Sequence, residues 1–482
     1  KNVPAQARAK MSKKRPRGGA SCDALAAQLR QLNGATQCDD SAHSTASAGW
    51  CGVGLTAEEV ARFSRPCLVK SFGPTRQLRL CRSKALVVGV GGLGSPAATY
   101  LTTSGVGVLG LCDFDTVDAS NLHRQPLYKR EDVGQPKVAC AVKRLSELVD
   151  ASALRVHKSE GCDSLETVPG TFSIRTHESG LTRDNARDVV RDYDVVLDCT
   201  DNPRTRYLLN DACVLEGKPL VYGASVGMEG QLTVYHHNGG PCLRCIFPEP
   251  LDADACDVCS DTGVLGFVPG LIGVMQAQEA IKVLTNFGTT LSGRMLHYDA
   301  EDARQFVAKL RGRRPGCASC GDSPTDPSSL DEPTAGKASA VTASCKSAVP
   351  STPADHRWSA SRLSTALRHD SRERVVLVDV RTPNQHAMCA LPESISIPYE
   401  TCLADSDALK VASRSLAEAA ANAATEASDH GRTLHVVCYC RRGNDSQLAV
   451  AALRPILGAH VVDLEGGLNA WRRDVDNTFP LY

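Results

Sequence analysis

Cysteine is the residue type that most clearly carries chemistry in this sequence. Six of its 21 cysteines form three Cys-x-x-Cys pairs: Cys242 and Cys245, Cys256 and Cys259, and Cys317 and Cys320. This spacing suits thiolate ligands of tetrahedral zinc, and one structural site needs four of them. One pair is therefore left for another role. Local spacing alone would join the first two pairs into a zinc ribbon, because they follow each other closely along the chain.

A further cysteine, Cys440, lies in Cys440-Arg441-Arg442-Gly443-Asn444-Asp445-Ser446, between a buried strand predicted over 434–438 and a helix predicted over 446–457. Such a loop can direct its backbone amides at the sulfur and stabilise an anionic form. A cysteine-dependent phosphatase uses a similar loop, but it needs an arginine where this sequence has Ser446. We therefore expect sulfur chemistry rather than phosphate-ester hydrolysis.

A third sequence feature that could carry chemistry is a glycine-rich turn. The strand predicted over 85–88 leads into Gly89-Val90-Gly91-Gly92-Leu93-Gly94, where the backbone can approach phosphates at a helix N-terminus. Asp113 and Asp115 follow a second predicted strand, at a distance that suits recognition of ribose hydroxyls. Up to this point, a nicotinamide dehydrogenase and a glycine turn without a ligand both remain alternatives.

The polar residues downstream favour a triphosphate over a nicotinamide. Arg124 and Lys137 are cations that hydride transfer does not need, and they could neutralise a triphosphate. Asp201 follows a later predicted strand and offers a carboxylate for Mg²⁺.

Together these segments resemble the adenylation domain of ubiquitin-activating-type enzymes, in the branch that activates small sulfur-carrier proteins for molybdopterin and thiamine synthesis. The resemblance covers roughly residues 58–320. It implies binding of ATP and Mg²⁺ by Gly91, Gly92, Asp113, Asp115, Ser120, Asn121, Leu122, His123, Arg124, Lys137, Asp201 and Asn202.

The same resemblance implies a homodimer in which an N-terminal arginine reaches the nucleotide of the neighbouring subunit. Within Arg62-Phe63-Ser64-Arg65, we assign this role to Arg65. Two positions depart from the pattern of the family: Pro66 stands where glutamine is usual, and Gly227 where arginine is common. A surface ion pair is the plainer alternative for Arg65.

The resemblance also decides between the cysteine pairs. It implies that Cys242, Cys245, Cys317 and Cys320 bind one structural Zn²⁺, against the pairing that local spacing favours. Cys259 then lies in a segment that resembles the mobile crossover of the family and is expected to be catalytic, attacking or resolving the activated carboxyl. A shared zinc site is its alternative, and Cys256 has no assigned role.

The C-terminal part, residues 356–482, resembles a rhodanese. The resemblance rests on the segments 379–381, 391–398 and 465–471 and on the loop of Cys440, and it implies that Cys440 is catalytic and carries a persulfide. An inactive regulatory rhodanese-like module is the alternative.

The sequence therefore predicts an α/β protein in which a Rossmann-like, mostly parallel adenylation domain with a structural zinc site precedes a smaller α/β rhodanese domain. The predicted boundaries are 1–57 for a weakly ordered basic arm, 58–320 for the adenylation domain, 321–355 for a linker and 356–482 for the rhodanese domain. The linker assignment rests on 16 Ser, Thr and Pro residues within 321–354.

The chain as a whole resembles eukaryotic fusions of these two domains. The resemblance implies that ATP adenylates the C-terminal glycine of a ubiquitin-like sulfur carrier ending in Gly-Gly, and that sulfur from Cys440 converts it into a thiocarboxylate. The product would serve wobble-uridine 2-thiolation of tRNA, molybdopterin synthesis, or both. A persulfide donor such as a cysteine desulfurase is implied as a partner.

Composition is consistent with this expectation. Lys and Arg together number 54, as do Asp and Glu, so the formal charge is zero and direct nucleic-acid binding is not expected. The odd cysteine count and the length of 482 residues favour a reducing compartment, the cytosol, over a disulfide scaffold. The uncharged stretch 85–112 contains seven glycines, so we expect no membrane span.

Two rival classes are a nicotinamide oxidoreductase with a thiol domain and a modifier-activating enzyme with a regulatory rhodanese-like module. The segment near 158–179 and the basic arm have no assigned function.

Overall fold

The computed structural model describes residues 53–158, 166–248, 263–322, 353, 356–368, 373–403, 414, 416, 418, 433–457 and 460–480. Several predicted features lie outside these residues: the arm up to residue 52, nearly all of the linker, residues 159–165 of the unassigned segment, and both Cys256 and Cys259.

A nine-stranded sheet dominates the first part of the chain. Its strands are β1 (Lys84–Val88), β2 (Val108–Cys112), β3 (Leu154–Lys158), β4 (Phe172–His177), β5 (Val195–Asp198), β6 (Leu220–Val226), β7 (Glu229–Tyr235), β8 (Arg294–Asp299) and β9 (Arg304–Lys309). Their order across the sheet is β3-β4-β2-β1-β5-β6-β7-β8-β9. Strands β1 to β6 pair in parallel, whereas β6 to β9 pair antiparallel.

Helices cover this sheet. They are α1 (Ala57–Cys67), α2 (Gly73–Cys81), α3 (Gly94–Ser104), α4 (Lys137–Ser146), α5 (Ala186–Arg191), α6 (Pro203–Leu215), α7 (Leu243–Ile246) and α8 (Phe267–Thr285). Apolar residues fill a core on each face of the sheet, which explains why β1 and β2 are almost continuously apolar.

Local sequence explains where several helices begin. Helix α1 starts at Thr56, whose hydroxyl accepts a hydrogen bond from the Glu59 amide while the Glu59 carboxylate accepts one from the Thr56 amide. Helix α6 starts with Asn202 as N-cap and Pro203 in its first turn.

The second sheet has five parallel strands in the order β10-β14-β13-β11-β12. The strands are β10 (Arg357–Trp358), β11 (Glu373–Asp379), β12 (Ile395–Ser396), β13 (Thr433–Tyr439) and β14 (Val461–Leu464). The accompanying helices are α9 (Ala360–Ala366), α10 (Pro383–Met388), α11 (Tyr399–Leu403), α12 (Asp445–Leu457) and α13 (Gly467–Asp474).

These two α/β sheets, the larger one mostly parallel, confirm the predicted fold class. Among the residues described, no helix combines the length and the apolar composition that crossing a bilayer requires.

Candidate functional site

Three strand ends meet where the glycine turn was predicted to bind a nucleotide. Val88 at the end of β1 pairs with Cys112 of β2 on one side and with Asp198 of β5 on the other. The loops that follow these strands therefore lie side by side at the carboxyl edge of the sheet. The chain order reverses across β1, and such a switch point is where open α/β sheets bind ligands.

The glycine turn is held by very close backbone contacts. Gly89 has a φ of +86°, and a Cβ atom there would lie 2.7 Å from the carbonyl oxygen of Cys199. A Cβ atom on Gly94 would lie 1.9 Å from the carbonyl oxygen of Gly89. Only glycine fits at both positions, and the turn is therefore locked against the end of β5.

Asp113 fastens the same turn to β2. Its carboxylate accepts hydrogen bonds from the amide of Val90 at 2.7 Å and from the amide of Asp115 at 2.9 Å. Burial raises the pKa of Asp113, whereas Lys137 and these two amides lower it. Asp115 is more open to solvent, so the two predicted ribose ligands have different surroundings.

The predicted cations lie at this edge as well. Lys137 is buried, and its Nζ atom is 2.9 Å from Oδ2 of Asp115. Arg124 donates to the Ser120 carbonyl oxygen at 3.0 Å, and its Nη1 atom lies 2.7 Å from Nε2 of His123.

The segment containing Ser120, Asn121 and Leu122 is anchored by Asp118. The Asp118 carboxylate accepts hydrogen bonds from both the amide and the hydroxyl of Ser120. Leu122 packs against the core, and Asn121 is half-buried. The segment is therefore a compact turn. Its Arg124 carbonyl oxygen would lie 3.4 Å from a Cβ atom on Gly92.

Asp201 and Asn202 follow β5. Asp201 is exposed, which leaves its carboxylate open to a ligand. Asn202 is exposed too, but its side-chain oxygen accepts a hydrogen bond from the Arg204 amide at 2.9 Å and caps α6. Arg206 donates to the Thr200 carbonyl oxygen at 2.6 Å and so fixes the loop that carries Asp201.

Gln276 of α8 was not among the predicted residues. It is fully buried, and its amide nitrogen donates to the carbonyl oxygens of Asp198 at 2.7 Å and of Val221 at 3.2 Å. It therefore ties together the ends of β5 and β6. No local pattern marks this residue, because its partners are more than fifty positions away in the sequence.

Helix α8 also packs directly on the predicted nucleotide-binding residues. A Cβ atom on Gly92 would lie 3.1 Å from the Pro269 side chain, and one on Gly266 would lie 2.3 Å from the carbonyl oxygen of His123. The described chain resumes at Gly263, four positions after Cys259. The carbonyl oxygen of Gly263 accepts a hydrogen bond from the Gly227 amide at 3.0 Å. The end of the predicted crossover segment is therefore tied to the β6–β7 turn.

Arg65 lies in the last turn of α1 and is exposed. The nearby Arg62 instead donates to the carbonyl oxygen of Leu148 at 3.2 Å. Both side chains are exposed, and Arg62 makes this hydrogen bond within the chain.

The structure brings together the four cysteines that the family resemblance selected. The Sγ atoms of Cys242, Cys245, Cys317 and Cys320 all lie within 4.8 Å of one another. Cys242 is 3.8 Å from Cys245 and 3.6 Å from Cys317, and Cys245 is 3.4 Å from Cys320. All four side chains are buried.

These distances fit a tetrahedral metal site. Zn–S bonds of about 2.3 Å place the corners of a regular tetrahedron about 3.8 Å apart, close to the observed spacings. Burial raises the pKa of the Cys242 thiol, and the neighbouring cysteines raise it further. Burial also acts to raise the pKa of Cys317, but hydrogen bonds from the backbone and from neighbouring cysteines together lower it by more. A bound cation would favour the thiolate form of Cys242. Four thiolates in this arrangement could bind zinc.

In the second sheet, Cys440 follows β13 and is 1% exposed. Its sulfur accepts a hydrogen bond from the Gly443 amide at 3.1 Å, and the amides of Arg442 and Ser446 also bond to it. The Ser446 hydroxyl oxygen lies 3.7 Å from the sulfur. The predicted ring of amides is therefore present.

Hydrogen bonding acts against burial and nearby charge at this sulfur. Burial raises the pKa of the Cys440 thiol, and Asp445 raises it further, whereas the Ser446 and Arg442 hydrogen bonds lower it. The amides therefore offset part of the cost of an anion at a site that excludes water. Such a site can hold a thiolate or a persulfide.

Family models match both parts of the chain. Residues 63–319 match the ThiF family, and residues 362–474 match the rhodanese-like domain.

Similar proteins match over most of the chain. An Arabidopsis thaliana protein named adenylyltransferase and sulfurtransferase MOCS3 is 40% identical over 444 residues, which are 89% of this chain and 87% of that protein. The protein of the same name from Bos taurus is 40% identical over 432 residues, 89% of either chain. A crystal structure of E. coli MccB with ATP is 19% identical, with a TM-score of 0.45, and covers 55% of this chain and 76% of that one.

The cysteine cluster generates a test by metal analysis. Cys242→Ser or Cys317→Ser should lose stoichiometric zinc and lower the free energy of unfolding by about 4 kcal/mol or more, because a structural metal contributes directly to folding. Cys67→Ser, outside the cluster, is the control and should keep the metal. Zinc retained in Cys317→Ser but lost in Cys259→Ser would show that the cysteine pairs have been assigned wrongly.

Proposed function

The chain belongs to the ThiF family and carries a rhodanese-like domain, and from this premise we propose how its two sites act in one reaction. The enzyme is a bifunctional adenylyltransferase and sulfurtransferase that adenylates a ubiquitin-like carrier and transfers sulfur to it. The residue assignments rest on one observation. The same chain contains a polar sheet edge at the β1 switch point and a buried cysteine surrounded by backbone amides.

In the adenylation step, the C-terminal carboxylate of the carrier attacks the α-phosphate of ATP, and pyrophosphate leaves. The amides of the Gly91 and Gly92 turn approach the phosphates, while Arg124 and Lys137 neutralise their charge. Asp113 and Asp115 recognise the ribose hydroxyls, and the Asp115 side chain is the more accessible of the two. Support for this placement comes from the convergence of these residues at one edge of the sheet.

Asp201 is the proposed ligand of Mg²⁺. Its exposed carboxylate stands at the same edge, on a loop that Arg206 fixes. When bound, Mg²⁺ offsets phosphate charge and assists departure of pyrophosphate.

In the sulfur step, a persulfide on Cys440 attacks the acyl adenylate. A bond forms between the terminal sulfur and the acyl carbon, and AMP leaves, which gives an acyl disulfide between carrier and Cys440. The thiolate of Cys259 then attacks Sγ of Cys440. The acyl disulfide breaks, the carrier leaves as a thiocarboxylate, and the two cysteines are joined until a cellular thiol reduces them.

The partners follow from this chemistry. A carrier ending in Gly-Gly supplies the carboxylate, and a persulfide donor such as a cysteine desulfurase loads Cys440. Arg65, exposed on α1, is proposed to reach the nucleotide of a second subunit in a homodimer. The cytosol supplies the ATP, the carrier and the reducing thiols that the reaction needs.

Two uses of the thiocarboxylate are proposed, wobble-uridine 2-thiolation of tRNA and molybdopterin synthesis. The names of the relatives, which join both activities in one protein, support sulfur transfer over a purely regulatory rhodanese module.

Replacement of Asp201 tests the proposed magnesium ligand. Asp201→Ala should reduce carrier-dependent ATP–pyrophosphate exchange about a hundredfold or more, because a ligand for the metal is lost. Thiosulfate sulfurtransfer at Cys440 should be unchanged. Asp188→Ala, which removes an exposed carboxylate on α5 that pairs with Arg191, is the control. Exchange by Asp201→Ala at the wild-type rate would contradict the assignment.

Replacement of the two catalytic cysteines tests the order of steps. Cys440→Ala should abolish thiocarboxylate formation but leave acyl-adenylate formation intact. Cys259→Ala should also adenylate, but should leave carrier attached to Cys440 by a bond that reductants cleave. Mass spectrometry of quenched reactions distinguishes these outcomes, with Cys389→Ala as the control. Thiocarboxylate formed by Cys440→Ala from a persulfide donor would rule out this route for sulfur.

A further inference from the structure

The segment that joins β14 to α13 lies unusually close to the loop of Cys440. Gly443 has a φ of +81°, and a Cβ atom there would lie 2.6 Å from the Gly466 amide nitrogen. Gly467 has a φ of +58°, and a Cβ atom there would lie 2.3 Å from the Cys440 carbonyl oxygen. Backbone packs on backbone here, and glycine is required on both sides.

In the hydrogen bonds between these two segments, α13 supplies the donors and the Cys440 loop supplies the acceptors. The amide of Leu468 donates to the Cys440 carbonyl oxygen at 3.0 Å, and the amide of Asn469 donates to the Arg441 carbonyl oxygen at 3.1 Å. Both donors belong to the first turn of α13, whose amides have no acceptor within their own helix. The first turn of α13 thus donates these amides to carbonyl oxygens of the Cys440 loop.

We propose that the first turn of α13 is a positioning element for Cys440, which holds the carbonyls of the loop outward and so directs the amides of the loop at the sulfur. The inference rests on the proposed role of Cys440 as sulfur acceptor.

Peptide geometry links the two sets of hydrogen bonds. In a trans peptide the C=O and the following N–H point in opposite directions. The Arg441 carbonyl and the Arg442 amide share one peptide unit. When Asn469 binds the carbonyl on one side, the Arg442 amide must face the other side, where it bonds to the Cys440 sulfur.

A side chain fixes a further carbonyl of the loop, that of Gly443. Nε2 of Gln447, buried in the first turns of α12, donates to the Gly443 carbonyl oxygen at 2.6 Å. The carbonyls of Cys440, Arg441 and Gly443 are therefore all held by donors from outside the loop. The loop keeps its amides inward even before any anion is present, which is the preorganisation that sulfur acceptance needs.

The proposed positioning affects the loading of Cys440, in which the Cys440 thiolate is the attacking group. Cys440 attacks the outer sulfur of a donor persulfide, a new S–S bond forms, the donor S–S bond breaks, and the donor leaves as a thiolate. Loss of one inward amide makes the Cys440 thiolate less stable and the attack slower.

A proline substitution isolates the Asn469 amide. Asn469→Pro removes one N–H at the third residue of α13, where that N–H has no partner within the helix. Asn469→Ala keeps the N–H and alters only an exposed side chain, which makes it the matched control. In the full-length protein, the rate of Cys440 alkylation by iodoacetamide is measured against pH by mass spectrometry of the modified peptide.

Asn469→Pro should shift the alkylation profile upward by about one pH unit, a roughly tenfold slower reaction near neutral pH, whereas Asn469→Ala should match wild type. The charged and titratable groups around Cys440 stay unchanged in both variants: Arg441, Arg442, Asp445, Asp463, Cys438 and Cys402. Coincident profiles for Asn469→Pro and Asn469→Ala would overturn the proposal.

Two further variants keep the test decisive. If Asn469→Pro does not fold, Gly467→Ala places a Cβ atom 2.3 Å from the Cys440 carbonyl oxygen and so pushes the first turn of α13 away from the loop. This variant should give the same upward shift, and an unshifted profile there would also overturn the proposal. Thiosulfate sulfurtransfer by Cys440→Ala separates this inference from the proposed function. Transfer that survives in Cys440→Ala would refute the role of Cys440, whereas the alkylation profiles measure the positioning alone.

Discussion

Close contact between two backbones, possible only at glycine, is the constraint on which both reactive sites depend. At the nucleotide edge, Gly89 and Gly94 bring the turn after β1 against the end of β5 and the start of α3. At the sulfur site, Gly443 and Gly467 bring the Cys440 loop against the start of α13. In each case a side chain would separate segments whose amides must converge on an anion, so the amides would lose their common target.

The two sites share one local architecture, although the anions proposed for them differ in size and charge. Each site follows a parallel strand and precedes a helix, and for each we propose an anion that backbone amides stabilise. The proposed nucleotide edge carries two cations for a triphosphate, the half-buried Arg124 and the buried Lys137. The Cys440 site is closed, and burial there works against the anion while the amides support it. The amides that are already in place offset part of the cost of an anion on this buried sulfur.

The sequence alone predicted what is encoded locally, and the structure adds what depends on distant contacts. The glycine turn, the Cys440 loop and the flanking strands are contiguous patterns, and their predicted elements formed. Which cysteine pairs share a site could not be read from spacing, because Cys242 and Cys317 are 75 positions apart, and only the family resemblance chose them. Gln276 and Asn469 carry no chemical signature, since one acts through distant carbonyl oxygens and the other through its backbone amide.

The central claim is that both sites act on the same carrier in sequence, and transfer of labelled sulfur tests it most directly. Cys440 is loaded with isotopically labelled sulfane sulfur from thiosulfate, excess donor is removed, and a Gly-Gly carrier is added with or without ATP. The account predicts that the label moves to the carrier's C-terminal thiocarboxylate only when ATP is present. Label that stays on Cys440 with ATP, or that reaches the carrier without it, would contradict the coupling of adenylation to sulfur transfer.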